Sequence, residues 1–142
     1  MNYMLLPLKR YADFSGRSSR MEFWMFVLFQ LIVSWGISFV VNMIFPPAIP
    51  VYDPANPEAA MAAMGSIYSS PGFIVSCLVG LFFLIPGLAV SVRRLHDQDK
   101  TGWLLLLAFI PLIGAIILLV FYVLPGTVGD NRYGPDPTQS DI

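Results

Sequence analysis

The fold of this chain is decided by residues 23–45, which read FWMFVLFQLIVSWGISFVVNMIF. These 23 residues carry no charged side chain, and at 1.5 Å per residue they would form a helix about 34 Å long. A helix needs about 20 apolar residues to cross the hydrocarbon core of a bilayer. The run therefore predicts a transmembrane helix that crosses with some tilt.

Two further stretches lack charge in the same way, residues 59–92 and 101–129. Across the 142 residues, 56% are hydrophobic, and the charged groups comprise 8 Lys plus Arg and 9 Asp plus Glu. This composition excludes a soluble enzyme and a disordered charged tail. The net charge of −1 gives no reason to expect nucleic acid as a partner.

The predicted fold is an all-α membrane protein, a single membrane domain over residues 1–142 with three transmembrane helices and a short N-terminal interfacial helix. A capping box at Ser19 and Glu22 predicts the start of the first helix, and prolines at Pro46 and Pro125 end the first and third. The predicted segments are an interfacial segment 1–20, spans at about 21–45, 71–92 and 103–124, an outer loop 46–70, a cytoplasmic loop 93–102 and a turn-rich tail 125–142. Residues 59–68 are expected to form a short Ala/Met-rich helix on the membrane surface or against the bundle.

The N-terminal segment has an apolar side and a charged side. Leu8 and Tyr11 belong to the first, Lys9 and Asp13 to the second, and Pro7 limits a helix to a start near Leu6. The pattern favours a short helix in the membrane interface. A solvated basic leader that only fixes topology remains an alternative.

Lysine and arginine predict the orientation, because cytoplasmic loops carry an excess of both. In a three-span protein, seven of the eight cations fall on the side of the N-terminus, and only Arg132 lies beyond the third span. We therefore expect an N-terminus in the cytoplasm and a C-terminus outside.

Polar residues recur every four positions along the first span, and a matching pair lies on the second. Such a stripe favours helix packing, in which small residues allow close approach and polar side chains hydrogen-bond across the contact. A polar lining of a conduction or ligand pathway is the alternative. The predicted packing residues are Gln30, Ser34, Ser38, Asn42, Ser76 and Gly80.

The densest chemistry lies in residues 93–100, which read RRLHDQDK and include the only histidine. His96 could act as a general base oriented by Asp97 or Asp99, and the arginines could hold a phosphate or a lipid headgroup. A third interpretation needs no reaction: the arginines suit the carboxyl end of the second helix, and Asp99 or Thr101 caps the third. One histidine and no reachable cysteine make a poor zinc site, so no metal and no cofactor is expected.

The tail contains many glycines and prolines, which predict a series of turns rather than a helix. Disorder is one interpretation of such a tail. Docking at the membrane interface through Arg132 and Tyr133 is the other.

Three separated blocks resemble the YhaH-like bacterial inner-membrane family, also called domain of unknown function 805. The blocks are Phe14-Ser15-Gly16-Arg17 with Arg20, Glu22 and Trp24; Arg93-Arg94-Leu95-His96-Asp97 with Asp99 and Gly102-Trp103; and Gly129 with Asn131-Arg132-Tyr133-Gly134-Pro135-Asp136-Pro137. The resemblance implies a small inner-membrane protein without an assigned activity, and it favours the meeting of the first two blocks in space. The residues 46–70 depart from the family pattern.

These observations define two candidate sites. The first, the polar cluster, is expected to bind a headgroup or a partner and comprises Arg17, Arg20, Glu22, Arg93, Arg94, His96, Asp97 and Asp99. The second is a tail motif of Asn131, Arg132, Tyr133 and Asp136. Opposite charges should attract strongly in the partly dehydrated headgroup region, so we expect Glu22 or Asp97 to pair with an arginine from another segment.

The leading hypothesis is a non-enzymatic membrane subunit that forms a homo-oligomer or binds another membrane protein or membrane lipids. A small transporter or channel component is the first alternative. A headgroup-acting enzyme that uses His96 is the second.

Overall fold

A computed structural model describes residues 2–46 and 56–138, and its regular elements are helical. Five α-helices occur: α1 Leu6–Lys9, α2 Arg20–Ile44, α3 Pro57–Tyr68, α4 Pro71–His96 and α5 Ile113–Val123. A 3₁₀ helix, Gly102–Phe109, lies between α4 and α5. The short α1 confirms a helix that starts near Leu6, and its position in the membrane interface stays a prediction.

The first long helix begins where the capping motif predicts. The Ser19 hydroxyl accepts a hydrogen bond from the Glu22 amide at 3.2 Å, which satisfies one of the free amides of the first turn. The Glu22 side chain does not complete the reciprocal box, because its carboxylate turns to Arg93. The helix α2 has 25 residues and is apolar enough to span a membrane.

The second long helix, α4, begins at Pro71 as predicted, has Pro86 inside it, and is also long and apolar enough to span. It extends to His96, four residues beyond the predicted end at 92, so Arg93 and Arg94 are helical. The short α3 confirms the predicted helix over residues 59–68, whose contact with membrane or bundle is untested. Residues 47–55 of the predicted outer loop lie outside the described residues.

The segment predicted as the third transmembrane helix, residues 103–124, is not a single α-helix. The chain forms the 3₁₀ helix, breaks at Ile110–Leu112, and resumes as α5. Leu112 has φ 66° and ψ −62°, and the amide of Ile113 donates to the Pro111 carbonyl at 2.8 Å, which is the strained form of a γ-turn. Pro111 interrupts the helix because it lacks an amide donor, and the turn then reverses the chain.

The two helical arms form a hairpin, defined here as residues 102–123, whose ends both lie at the His96 end of α4. At its start, a Cβ on Gly102 would lie 3.4 Å from Nε2 of His96. At its finish, the Tyr122 carbonyl accepts a hydrogen bond from Nε of Arg94 at 3.3 Å. Each arm, of 8 and 11 residues, is about 16 Å long, roughly half the thickness of a hydrocarbon core.

The tail follows the hairpin back to this same end of α4. The Thr127 amide donates to the Asp97 carbonyl at 2.8 Å, and Arg17 donates to the Gly129 carbonyl at 2.6 Å. The tail thus contacts the segment from which the predicted topology separates it, while the side of the membrane on which each lies stays a prediction. This contact follows from the hairpin, because its second arm brings the chain back to the end of α4 from which the first arm leaves.

The chain divides into two compact units, residues 1–29 with 84–142, and residues 30–83. The apolar core of the first unit contains the buried side chains Phe23, Phe26, Ala89, Val90, Leu95 and Leu118.

The predicted packing residues lie in the second unit. Gln30, Ser34 and Ser38 are half-buried there, whereas Asn42 and Ser76 are exposed. The Asn42 side-chain oxygen lies 3.0 Å from the position of a Cβ on Gly72, so α2 and α4 approach closely at this point. A Cβ on Gly80 would meet no atom within 4 Å among the described residues, so the close approach predicted at Gly80 is not found within the chain.

Candidate functional site

Arg93 and Glu22 join the ends of the two long helices through a buried ion pair. Nη2 of Arg93 lies 3.2 Å from Oε1 of Glu22, and the Arg93 residue is 0% exposed. Its Nε donates to the Ser18 hydroxyl at 2.8 Å, and its Nη1 donates to the carbonyl of Asp13. The guanidinium is thus bonded on all sides, as a buried charge must be to offset its lost hydration.

Asp97 lies between two arginines and forms the second buried ion pair. Nη2 of Arg17 is 2.9 Å from Oδ1 of Asp97, and Nη1 of Arg94 contacts Oδ2. Burial raises the pKa of the Asp97 carboxyl, while hydrogen bonding from Arg17 and attraction by Arg94 oppose that rise. Loss of either arginine would leave a carboxylate in surroundings that disfavour its charge. We call Arg17, Glu22, Arg93, Arg94 and Asp97 the ion cluster.

The ion cluster also holds the end of the hairpin. A helix leaves its last four carbonyls without internal partners, and side chains from α4 and the segment after it supply donors. Arg94 donates to the carbonyls of Tyr122 and Leu124, and Gln98 donates to that of Phe121. Cations at a helix carboxyl end also suit the direction of the helix dipole.

Arg17 holds the tail in place. Its guanidinium donates to the carbonyl oxygens of Thr127 at 2.7 Å and Gly129 at 2.6 Å. Asn131 adds a bond from its amide nitrogen to the His96 carbonyl at 2.9 Å. The predicted series of turns is confirmed through residue 138, and the tail docks on the ion cluster.

Two further residues of the tail motif have separate roles. Asp136 accepts from the Gly129 amide at 3.1 Å, and hydrogen bonds from Thr138 lower the pKa of its carboxyl. Arg132 pairs with Asp99 at 3.1 Å on the surface. The interface docking predicted for Arg132 and Tyr133 is untested.

Five of the eight residues of the predicted polar cluster therefore lie in a buried network of two ion-paired groups, Arg93 with Glu22 and Asp97 with Arg17 and Arg94. The expectation that Glu22 or Asp97 pairs with an arginine of another segment is confirmed for both carboxylates. The five are saturated by protein groups, so the binding role predicted for them finds no exposed side chain. Arg20 and Asp99 are exposed instead.

Sequence reasoning missed three residues that complete this network, Ser18, Gln98 and the carbonyl of Asp13. Ser18 and Gln98 are neutral, and the Asp13 contact uses a backbone atom. Each of these three groups bonds to a residue more than 20 positions away in the chain. No local sequence pattern therefore marks any of them.

In the part of the chain that the structure describes, no carboxylate pairs with His96, contrary to the arrangement considered for a general base. Its Nδ1 lies 3.2 Å from the Gly16 carbonyl oxygen, and its ring stacks on Tyr133 with centroids 3.8 Å apart and planes 4° from parallel. Asp97 and Asp99 are occupied by arginines. Within residues 2–46 and 56–138, no three His, Cys, Asp or Glu side chains converge as a possible metal site.

An apolar groove of about 760 Å³ opens beside the His96–Tyr133 stack. Aromatic rings from three segments contribute to its walls, namely Phe14, Trp103, Phe109 and Tyr133. The aliphatic lining comes from α4 and the 3₁₀ helix, through Leu88, Val92, Leu105, Leu106 and Ala108. His96 and Thr101 form its polar end, next to Gly102.

The volume of the groove falls within the 300–1,000 Å³ typical of sites for small organic ligands. Its mostly apolar lining is also typical of such sites. Its walls depend on the ion cluster, because α4, the hairpin and the tail are all held by the arginines. The ion cluster thus borders a concave surface without lining it, and His96 is the one residue of the predicted polar cluster that lines the groove.

Known proteins resemble this chain over nearly its whole length. The family described as "Protein of unknown function (DUF805)" matches residues 11–135. Inner membrane protein YhaI of Escherichia coli (strain K12) is 39% identical over 137 residues, 96% of each chain. Inner membrane protein YhaH of the same strain is 36% identical over 137 residues, 96% of this chain and 97% of the relative. No solved structure matches the chain.

The predicted family resemblance is confirmed. The prediction of a membrane protein that contains transmembrane helices is confirmed as well. The share of the chain covered leaves no segment of substantial length outside the match. The chain therefore belongs to the DUF805 family, and it is an inner membrane protein.

Proposed function

We propose that this protein is a non-enzymatic membrane protein that binds a lipid in the groove beside His96. The observation that carries the proposal is the groove itself, a concave apolar surface of about 760 Å³ that has its polar groups at one end. A lipid has the same division into a long apolar part and a short polar part.

The position of the groove along the molecule supports this proposal. Its polar end lies at the charged end of α4, and its walls continue along the uncharged hairpin. Charged groups and Trp103 belong at the headgroup level of a bilayer, whereas uncharged apolar helices belong in the hydrocarbon region. A lipid could enter the groove with its head and chain at the depths they already occupy.

A binding role also fits the polar chemistry better than catalysis does. General acid–base catalysis by His96 would be helped by a carboxylate that orients the ring, but both neighbouring carboxylates bind arginines. The ion cluster serves as the support of the groove. Self-association and a transport role stay predictions.

We further propose that α2 and α4 are the two spans and that the hairpin enters the bilayer and returns. All eight Lys and Arg residues then lie on one side, which the positive-inside rule assigns to the cytoplasm. The tail would be cytoplasmic along with the N-terminal segment. The absence of Lys and Arg between residues 21 and 92 supports this topology.

Native mass spectrometry of the purified protein tests the lipid proposal. The wild type should retain lipid after detergent extraction, and Ala108→Trp should lose it because the indole fills the groove that Ala108 lines. Ala115→Trp is the matched control, since Ala115 is exposed on α5 and does not line the groove. Equal retention by the two variants would contradict the proposal.

A further inference from the structure

The polar end of the groove has a definite hydrogen-bonding character. Nδ1 of His96 lies 3.2 Å from the Gly16 carbonyl oxygen, and a carbonyl can only accept a hydrogen bond. Nδ1 therefore carries the proton of the neutral ring, and Nε2 has a free lone pair.

Nε2 is the His96 atom at the groove end. It lies 3.4 Å from the position of a Cβ on Gly102, a residue that lines the groove. Among residues 2–46 and 56–138, the hydrogen bond of this side chain runs through Nδ1, and no protein donor reaches Nε2. A ligand in the groove would meet an acceptor there.

Thr101 supplies the complementary group. Its oxygen accepts a hydrogen bond from the Trp103 amide at 3.4 Å, so its hydroxyl proton is available to a ligand. An acceptor and a donor at one end of an apolar groove match a ligand group that both donates and accepts, which is the property of an alcohol.

The residues that line the groove also indicate that its ligand is uncharged. No Asp, Glu, Lys or Arg is among the described residues that line it. Near this end, Arg132 pairs with Asp99 at 3.1 Å and Arg10 with Asp13 at 2.8 Å. Lys100 precedes Thr101, but its ammonium lies over the Phe121 ring at 5.2 Å, and Lys100 does not line the groove. A phosphate or a carboxylate at the polar end would lose hydration without meeting a cationic side chain in the lining.

We infer that the groove selects an uncharged lipid with a hydroxyl head, such as a mono- or diacylglycerol, through Nε2 of His96 and the hydroxyl of Thr101. This inference rests on the proposed function and adds the class of ligand to it. Gly16 acts through His96, because its carbonyl holds the ring tautomer that leaves Nε2 free.

Quenching of Trp103 by brominated chains tests the inference in the full chain, because Trp103 lines the groove. Trp24→Phe and Trp35→Phe leave Trp103 as the only tryptophan. The probes are dibromostearyl alcohol and its methyl ether, which share the chain and the head oxygen and differ in the donated proton. Titration in nanodiscs of unbrominated phospholipid at pH 8 keeps an ordinary imidazole neutral.

The alcohol should bind about 3- to 10-fold more tightly than the ether, the range expected for one neutral hydrogen bond. His96→Asn should abolish this preference, because asparagine can replace Nδ1 but places no atom at Nε2. His96→Gln should keep part of it, because its amide reaches the position of Nε2. Equal binding of the ether by all three proteins shows that the groove remains folded.

The other outcomes separate the two proposals. Absence of saturable quenching by either probe would overturn the lipid-binding function. Saturable quenching with equal affinities would retain that function and overturn the hydroxyl selection. A preference that survives His96→Asn, or stronger quenching by a brominated anionic phospholipid than by the alcohol, would overturn the role of Nε2.

Discussion

The carboxylate of Glu22 accepts a hydrogen bond from Nη2 of Arg93 at 3.2 Å, although the two residues are 71 positions apart, and both are buried. The pair joins the first turn of α2 to the last turn of α4. Because both side chains are buried away from water, each charge is stabilised by the other, and this interaction couples the ends of the two long helices.

A double-mutant cycle on this pair should show strong coupling. Glu22→Gln and Arg93→Met should each destabilise the protein by about 3–5 kcal/mol, because each strands a buried partner. The double variant should lose less than the sum. Unfolding in mixed detergent micelles measures the cycle. The control is the exposed pair of Asp99 and Arg132, where Asp99→Asn and Arg132→Met should each lower the free energy of unfolding by about 0–1 kcal/mol. Additive effects at the buried pair would contradict the coupling.

Arg17→Lys should release the tail. A lysine keeps the charge but cannot reproduce the fork that reaches Asp97, Thr127 and Gly129 together. Hydrogen exchange of the amides in residues 127–134 should rise by about tenfold or more, while exchange in the middle of α2 stays unchanged. Arg132→Lys is the matched control on an exposed arginine, and an equal effect of both changes would speak against the anchor.

Gly114→Ala should destabilise the hairpin. A Cβ there would overlap the carbonyl oxygen of Leu107, so the two arms would have to separate, at a cost of about 1–3 kcal/mol. Gly80→Ala has open space around it and should be neutral or stabilising by up to about 1 kcal/mol. Thermal unfolding in detergent distinguishes them. A destabilising Gly80→Ala would instead indicate a contact with another molecule.

Asp13 should titrate far below an ordinary aspartate. Hydrogen bonds from the Ser15 hydroxyl, then from Arg10, lower the pKa of its carboxyl from 3.8 to about 2. Since the folded pKa is the lower one, the contribution to stability is complete above about pH 3.8 and is lost as the pH falls through about 2. Carboxyl NMR in micelles should show this, and Ser15→Ala should move the pKa of Asp13 upward. An unchanged pKa in that variant would contradict the assigned cause.

The two termini should react from the same side of the membrane. In a Cys77→Ala background, Asn2→Cys and Thr138→Cys should both be protected from an impermeant thiol reagent in spheroplasts and both react in inverted vesicles. Ala62→Cys, in α3 between the two spans, should behave in the opposite way. Labelling of Thr138→Cys from outside would restore a third span.

The sequence by itself determined the helices α2 and α4 and the end at which the cations gather. These features follow from local chemistry, because uncharged runs of this length, capping residues and prolines act within a few positions along the chain. The juxtaposition of the polar cluster was also predictable, since Glu22 and Arg93 each lie at the end of an apolar helix of known length.

Only the tertiary structure decided the pairing of particular charges and the path of the third apolar run. Composition cannot distinguish one straight helix from two arms that fold back on each other, because both contain the same apolar residues. The strained turn at Leu112 and the close approach at Gly114 produce the second arrangement. The sequence does not indicate which carboxylate pairs with Arg17, Arg93 or Arg94, because all three have the same side chain. The partner of each arginine is set by contacts that form only after separate backbone segments pack together. The His96–Tyr133 stack and the groove beside it depend on the same packing.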